Sequence, residues 1–299
     1  MDVQQAVGQF VDSLVVGDSV VVDEITVVPL RLKSPGKRYS TLSDGAGDAL
    51  VTEVGEGIVP EVLVRNQGRR PLLLLDGEEL IGAKQNRVVN STIVVKPGCE
   101  RRVPVSCIEA GRWSARTAAF RSEGRFVPSS VNTSKRRRVA NSLRTGRGYD
   151  ADQGAVWADV ATTMAFCGVA SDTSALSEAI DVEYTRSRPT IDRVAPCEDE
   201  VGVAVFRGGA LIGIEIVSHP RTWATVRAGV LASLWSGQPS PKKTRQGPQV
   251  LLHRLLARTA SVHPGAEGEV DFRVTTGSSQ LAAFVVDGEV VHVSASALA

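Results

Sequence analysis

Hydrophobic and polar positions divide the chain into a strand-rich beginning, a helical middle and a mixed end. The apolar runs at residues 71–75 and 101–107 are typical of strands, whereas the spacing over 152–167 predicts a helix. Further along, the apolar runs 201–206 and 210–217 are joined through a Gly-Gly pair, which is a hairpin signal. We therefore predict an α+β fold, in which a β-rich N-terminal sandwich or partial barrel is followed by helices and a second set of antiparallel strands.

The same changes of pattern divide the chain into regions without giving a firm domain boundary. We predict a single functional unit over residues 1–299, with a β-rich region 1–115, a helical region 116–195 and a mixed α and β region 196–299. Residues 236–248, which are rich in Pro, Gly, Ser and Lys, predict a mobile surface loop.

The charge balance restricts the classes of partner. Lys plus Arg number 34 and Asp plus Glu 33, so the net charge of +1 gives no general attraction to nucleic acid or to an anionic membrane. A basic run, residues 135–138, lies in a predicted helix and is interpreted as a solvated face. Nucleic acid is therefore an unlikely partner, and no run approaches the roughly 18 apolar residues of a membrane span.

The N-terminus and the cysteines point to the same compartment. Asp2 stands where a signal peptide carries positive charge, so we predict a cytoplasmic protein without a membrane partner. The four cysteines lack zinc spacing, which predicts reduced thiols and no metal site. The residues indicate no particular cofactor, and they leave a homo-oligomer open.

Candidate chemistry is concentrated in residues 76–87, DGEELIGAKQNR, directly after an apolar run. The Asp76-Gly77 pair predicts a tight hairpin turn. If the chain beyond it is extended, alternation places Lys84 on one face and Gln85 on the other. Charged tips on a solvated hairpin are the alternative interpretation of the same segment.

The residue types of this segment suit either catalysis or ligand binding. Neighbouring carboxylates and an ammonium can tune each other's pKa for acid/base work, while amides and a guanidinium can bind polar and phosphate groups. The candidate catalytic residues are Glu78, Glu79 and Lys84, and the candidate ligand-binding residues are Asp76, Gln85, Asn86 and Arg87.

A second cluster, SCIEAGRWS, lies at the predicted exit of a strand, where loops commonly carry function. Cys107 beside Arg112 is a candidate nucleophile, with His292 as a conceivable spatial neighbour, and Glu109, Arg112 and Trp113 are candidate ligand contacts. A small core cysteine and a packing tryptophan are the alternative.

A third cluster opens a predicted helix. Asp152 and Gln153 stand at its N-terminus, where free N–H groups can receive an anion. Both are candidate ligand-binding residues, and a plain capping role for Asp152 is the alternative.

These clusters together resemble a prokaryotic family named for its association with ADP-ribosylglycohydrolase and rhodanese-type phosphatase genes. The resemblance is carried by residues 72–95, 103–114, 152–157 and 287–295, and it spans nearly the whole chain. The second motif departs from the family at Ala110, where a polar residue is usual. The resemblance implies no established activity, but the gene neighbours point to nucleotide or ADP-ribose metabolism or to stress responses.

The first functional hypothesis is a module that binds a phosphorylated or ADP-ribose-like nucleotide. Arg87 and Arg112 would contact phosphate, Trp113 would stack on a ring, and Gln85 with Asn86 would bind polar edges.

Two other hypotheses stand beside it. A hydrolase or transferase would use Glu78 or Glu79 as general base, Lys84 to stabilise developing charge and Cys107 as reserve nucleophile. A structural or assembly protein would use the Arg112–Trp113 loop as an interface. A ligand site requires the three clusters to meet in the fold.

Overall fold

A computed structural model describes residues 2–44, 48–236, 243–244, 246–266 and 268–298. No helix within these ranges is both long enough and apolar enough to pass through a lipid bilayer. The helices are α1 (Val3–Asp12), α2 (Ser129–Arg144), α3 (Gln153–Cys167), α4 (Leu176–Ile191), α5 (Pro220–Trp235) and α6 (Pro248–Leu256).

Short strands dominate both ends of the chain. Strands β1 to β12 precede the first long helical region, and β13 to β18 follow α4. Their bounds are β1 (Leu14–Val16), β2 (Val20–Val22), β3 (Ile25–Leu32), β4 (Ser40–Thr41), β5 (Ala49–Ile58), β6 (Glu61–Asn66), β7 (Leu72–Leu74), β8 (Glu79–Gly82), β9 (Arg87–Val89), β10 (Ile93–Val95), β11 (Glu100–Cys107), β12 (Phe120–Arg121), β13 (Glu200–Arg207), β14 (Ala210–Val217), β15 (Ala260–Pro264), β16 (Glu269–Thr275), β17 (Ser279–Val286) and β18 (Glu289–Ala297).

The chain forms two compact units that do not follow the three successive regions predicted from the sequence. The first unit combines residues 1–38, 189–227 and 237–299, so the two ends of the chain belong together. The second unit combines residues 39–188 and 228–236. The partition differs because strands near the N-terminus pair with strands after residue 200. A single functional unit over the whole chain stays a prediction.

The first unit is built on one antiparallel sheet. Among the described residues its strand order is β1-β3-β13-β14-β18-β17-β16-β15, with β2 also paired to β3. The predicted hairpin between β13 and β14 is confirmed by the pairing of Arg207 with Ala210. One face buries Ile214 and Val293 against α1 and α6, which contribute Val11 and Leu252 to the same core.

The second unit is built on a closed barrel, so the predicted α+β fold with a β-rich N-terminal part is confirmed. The barrel order is β11-β6-β5-β12-β8-β9. Val64, Leu80, Val89 and Val105 belong to the core that fills it. On the opposite side of β9, Val88 belongs to a second core formed with α2, α3 and α4. Because β9 alternates between two cores, it carries almost no exposed surface.

The predicted hairpin at Asp76-Gly77 is wrong. The strand before it, β7, pairs with β10 and β4, while the strand after it, β8, pairs with β9 and β12. A turn is nevertheless present, because Glu78 N donates to Leu75 O at 3.1 Å and Gly77 has a φ of +89°. The turn therefore carries the chain from a small three-stranded sheet into the barrel instead of joining two paired strands.

Most of the predicted mobile loop, residues 236–248, lies outside the described residues, since 237–242 and 245 are not among them. Within its described part, Lys243 forms a β-bridge with Ala210, and α6 begins at Pro248.

Candidate ligand-binding site

The three polar clusters come together in the second unit. Gln85 Nε2 donates to Glu109 O at 2.8 Å, which joins the first cluster to the second. Gln153 joins the third, because its side chain accepts from Cys107 N and donates to Cys107 O, both at 2.8 Å. Segments far apart in sequence therefore meet at the end of β11.

The segment 76–87 is buried rather than solvated, and its extended part is short. Strand β8 ends at Gly82, and the left-handed φ of +41° at Ala83 turns the chain into β9. Asn86 holds this turn, since its Oδ1 accepts from Gly82 N at 3.0 Å. The alternation predicted for Lys84 and Gln85 is wrong, because both lie in the turn and not in a strand.

Hydrogen bonds from the Arg112 side chain connect this turn to Glu109, and we call this arrangement the Arg112–Glu109 tie. Arg112 Nε donates to Glu109 Oε1 at 2.7 Å and its Nη2 to Glu109 Oε2 at 2.5 Å, a bidentate pair with both side chains buried. Its Nη1 donates to Ala83 O at 2.6 Å and to Ser114 O at 2.9 Å. Because the protein itself engages these donors, Arg112 positions the loops instead of offering a free edge to a phosphate.

Glu109 is held as a carboxylate at the centre of the tie. Burial alone would raise its pKa, but hydrogen bonds from Arg112, Asn86 and Thr173 outweigh burial and lower the pKa below its ordinary value. Asn86 N donates to Oε2 at 3.0 Å, and Thr173 Oγ1 donates to Oε1 at 2.8 Å.

Arg87 presents the same two guanidinium nitrogens as Arg112, Nε and Nη2, but neither of them donates a hydrogen bond to the described protein. The side chain is fully buried, and its Nη1 donates to Gln85 Oε1 at 3.1 Å. Its Nε and Nη2 have no hydrogen-bond partner within the described residues. We call these two nitrogens the Arg87 edge. Nη2 lies 3.8 Å from Glu53 Oε2, which is also without a hydrogen-bond partner there.

The Arg87 edge lies at one end of the barrel. Arg87 pairs with Leu80 on one side and with Cys107 on the other. It also shares its strand face with Val89, which belongs to the barrel core. Residues at this inward-facing end define the barrel mouth: Glu53, Lys84, Arg87, Cys107 and Trp113.

Trp113 covers the barrel mouth and remains 49% exposed. Lys84 Nζ lies 5.3 Å and Arg87 Cζ 5.7 Å from the centroid of its ring, both within cation–π distance. Lys84 Nζ also donates to Glu56 O. The mouth thus combines two cations with an aromatic ring that is only half covered.

Cys107 is a buried thiol within this mouth. Burial raises its pKa above the ordinary value, and this outweighs the opposing effects of a hydrogen bond to Glu109 O and of the Arg87 charge. Its Sγ lies 3.3 Å from Glu109 O. A neutral thiol is a poor nucleophile, so the site offers little activation for the reserve role predicted for Cys107.

The Glu78 and Glu79 carboxyls accept hydrogen bonds from different serines, and the Lys84 ammonium bonds to neither serine. Ser122 Oγ donates to Glu78 Oε1 at 2.7 Å, whereas Ser177 Oγ donates to Glu79 Oε1 at 2.5 Å. Burial raises the pKa of each carboxyl to about 7 and outweighs these hydrogen bonds. The catalytic roles of Glu78, Glu79 and Lys84 stay predictions.

These raised pKa values predict a pH-dependent stability. The ordinary value of 4.5 holds in the unfolded chain, so the folded state binds each proton more tightly. The resulting contribution to the free energy of unfolding is roughly 3 kcal/mol per carboxyl. It is fully present below about pH 4.5 and is lost as the pH rises through 7. We expect urea unfolding of Glu79→Gln to show a weaker fall in stability over this range than the wild type. An identical pH profile would contradict the assignment, and the exposed Glu100→Gln serves as control.

Asp76 is engaged by two cations of α2. Its Oδ1 accepts from Lys135 Nζ, and its Oδ2 accepts from Arg136 Nε at 2.7 Å. All three side chains are buried. The interpretation of the basic run as a solvated face is therefore wrong for Lys135 and Arg136, whereas Asp76 has a structural role in place of a free ligand contact.

Two further candidates, Asp152 and His292, have other partners. Asp152 caps α3, since its Oδ1 accepts from Ala155 N at 3.2 Å. His292 belongs to the first unit, where its Nε2 lies 3.0 Å from Glu215 Oε2. Within the described ranges, no three His, Cys, Asp or Glu side chains are grouped closely enough to hold a metal ion.

The sequence reasoning missed several residues that build the site. Glu53, Ser122, Thr173 and Ser177 gave no local signal, because each reaches its partner across a large separation in the chain. Lys135 did leave a signal. It falls in a helical stripe with other buried residues of α2, namely Val131, Val139 and Ser142.

A protein-family model matches this chain. No curated protein and no solved structure matches the chain. The ARPP-1 domain, described as the ARG and Rhodanese-Phosphatase-superfamily-associated Protein domain, matches residues 13–296. This match covers the barrel mouth and, apart from residues 1–12 and 297–299, both compact units, and the chain belongs to the ARPP-1 family.

Proposed function

We propose that this chain binds a phosphorylated, ADP-ribose-like nucleotide at the barrel mouth. The observation that carries the proposal is the Arg87 edge, two donor nitrogens of a fully buried guanidinium without a hydrogen-bond partner among the described residues. A buried charge whose donors stay unpaired costs several kcal/mol, so such a group is usually completed by a ligand or a water molecule.

Trp113 and Lys84 support a ligand with a flat ring and a phosphate. The exposed half of Trp113 offers an aromatic surface on which a base can stack, and Lys84 adds a second positive charge beside it. Arg87 is fully buried, so access for the ligand would require the half-exposed Trp113 to move aside. The name of the family associates it with ADP-ribosylglycohydrolase-type proteins, which favours this class of nucleotide.

The proposal predicts that Arg87→Lys weakens nucleotide binding. Lysine keeps the positive charge but lacks the fork of two parallel donors, so we expect at least a tenfold loss of affinity, about 1.4 kcal/mol or more. Calorimetric titration with ADP-ribose, NAD and ADP measures the loss of affinity, and quenching of the intrinsic tryptophan fluorescence reports the same event independently.

The matched control is Arg102→Lys. Arg102 lies on the same barrel but is exposed and pairs with Glu61 at the surface, so its substitution should leave the affinity unchanged. Absence of heat and of fluorescence change with all three nucleotides, at protein concentrations that detect micromolar binding, would overturn the proposal.

A further inference from the structure

We infer that the barrel mouth binds the vicinal hydroxyl pair of a ribose between Arg87 and Glu53, and that the phosphate of the ligand lies elsewhere in the mouth. The inference rests on the proposed function and names the part of the nucleotide that the Arg87 edge receives. It follows from three observations: a donor beside an acceptor, neither with a hydrogen-bond partner among the described residues, the charge of Glu53, and the irregular backbone beside it.

The unpaired donor and acceptor are side by side. Arg87 Nη2 and Glu53 Oε2 are 3.8 Å apart, too far for a good hydrogen bond, and each lacks a hydrogen-bond partner within the described part of the chain. Glu53 is fixed in place, because its Oε1 accepts from Lys84 N at 3.2 Å. A group that fits this pair must accept from Arg87 and donate to Glu53 at once.

A vicinal diol meets that requirement and a phosphate does not. One hydroxyl can accept from Arg87 while its neighbour donates to Glu53, and carboxylates recognise ribose hydroxyls in this way in dinucleotide-binding folds. A phosphate is mostly deprotonated at neutral pH, so it is a poor donor, and its negative charge is repelled by Glu53. The Arg112 edge, by contrast, is filled by the acceptor-only carboxylate of Glu109.

The backbone beside Glu53 departs from regular strand geometry. Gly57 has a φ of +105°, and a Cβ added there would lie 3.5 Å from Glu53 Oε2 and 3.2 Å from Lys84 Cδ. The pairing of β5 with β6 also shifts register between Glu53 and Ile58. Bulges of this kind are common beside binding sites, because they redirect side chains at the end of a barrel.

The test compares ADP with 2′,3′-dideoxy-ADP, which differ only in the hydroxyl pair. On the wild type we expect the dideoxy compound to bind at least fivefold more weakly in a calorimetric titration. In Glu53→Gln we expect ADP to lose affinity by a similar factor, while the dideoxy compound is unaffected. The control Glu100→Gln removes an exposed carboxylate from the same barrel and should change neither affinity.

The remaining outcomes distinguish failure of this inference from failure of the proposed function. If Glu53→Gln strengthens binding of ADP, of the dideoxy compound and of inorganic pyrophosphate, the phosphate occupies the Arg87 edge, and the inference fails while the proposed function stands. Equal binding of the two nucleotides by the wild type also refutes the inference, and it does not depend on whether the variant folds. Binding of no nucleotide refutes the inference together with the proposed function.

Discussion

Replacement of Asp76 by alanine is expected to destabilise the protein by about 3–5 kcal/mol, because it removes the carboxylate that two buried cations share. Lys135 and Arg136 both bind Asp76, and neither is more than 5% exposed. Loss of the shared acceptor leaves positive charge inside the protein without its counter-charge. A destabilisation of this size is a large part of the stability of a typical domain.

Urea unfolding followed by circular dichroism measures the effect. Glu61→Ala is the matched control, since Glu61 pairs with Arg102 at the surface and such pairs contribute about 0–1 kcal/mol. Asp76→Asn keeps an acceptor without the charge, so its stability should lie between those of Asp76→Ala and Glu61→Ala. Equal stabilities of Asp76→Ala and Glu61→Ala would contradict a buried role for this carboxylate.

Replacement of Glu109 by alanine is the second change with a large expected effect, again about 3–5 kcal/mol. It leaves Arg112 buried without its bidentate partner and removes the acceptor used by Asn86 N and Thr173 Oγ1. Since the turn 83–86 also depends on this tie, we expect nucleotide binding to be lost with the stability.

The double variant Glu109→Ala with Arg112→Met separates charge from packing. Removal of both charged groups avoids an unpaired buried cation, so the double variant should recover part of the stability that Glu109→Ala loses. Thermal and urea unfolding measure the recovery. If Arg112→Met destabilises the Glu109→Ala variant as much as it destabilises the wild type, the two effects are additive. The two residues would then act independently and would not form the tie.

Local patterns were sufficient to predict the fold class. Continuous apolar runs predicted strands at the positions of β7, β11, β13 and β14, and the glycine pair after Arg207 predicted the hairpin of β13 and β14 correctly. The same reasoning failed at Asp76-Gly77, because a turn signal fixes the local backbone and leaves open which strand the chain pairs with next.

The segments of the candidate site were also visible in the sequence, as unusual densities of polar residues after buried strands. Their roles were not visible, because roles depend on partners distant in the chain. From the sequence, both Arg87 and Arg112 were interpreted as phosphate contacts. In the structure, Glu109 fills the edge of Arg112, whereas the edge of Arg87 has no hydrogen-bond partner among the described residues. Glu53 could not be found at all, since nothing near it in sequence distinguishes it from a surface carboxylate.

The discontinuous first unit has a consequence for synthesis on the ribosome. Strand β3 pairs with β13, so Val28 cannot pair with Ala204 until that residue has been translated. All strands of the barrel, in contrast, have been translated once Arg121 emerges. Long-range pairings are slow to form because their loop-closure entropy is unfavourable. The nascent chain should therefore complete its barrel first and carry an open sheet edge, a site for chaperone capture, until the C-terminal strands arrive.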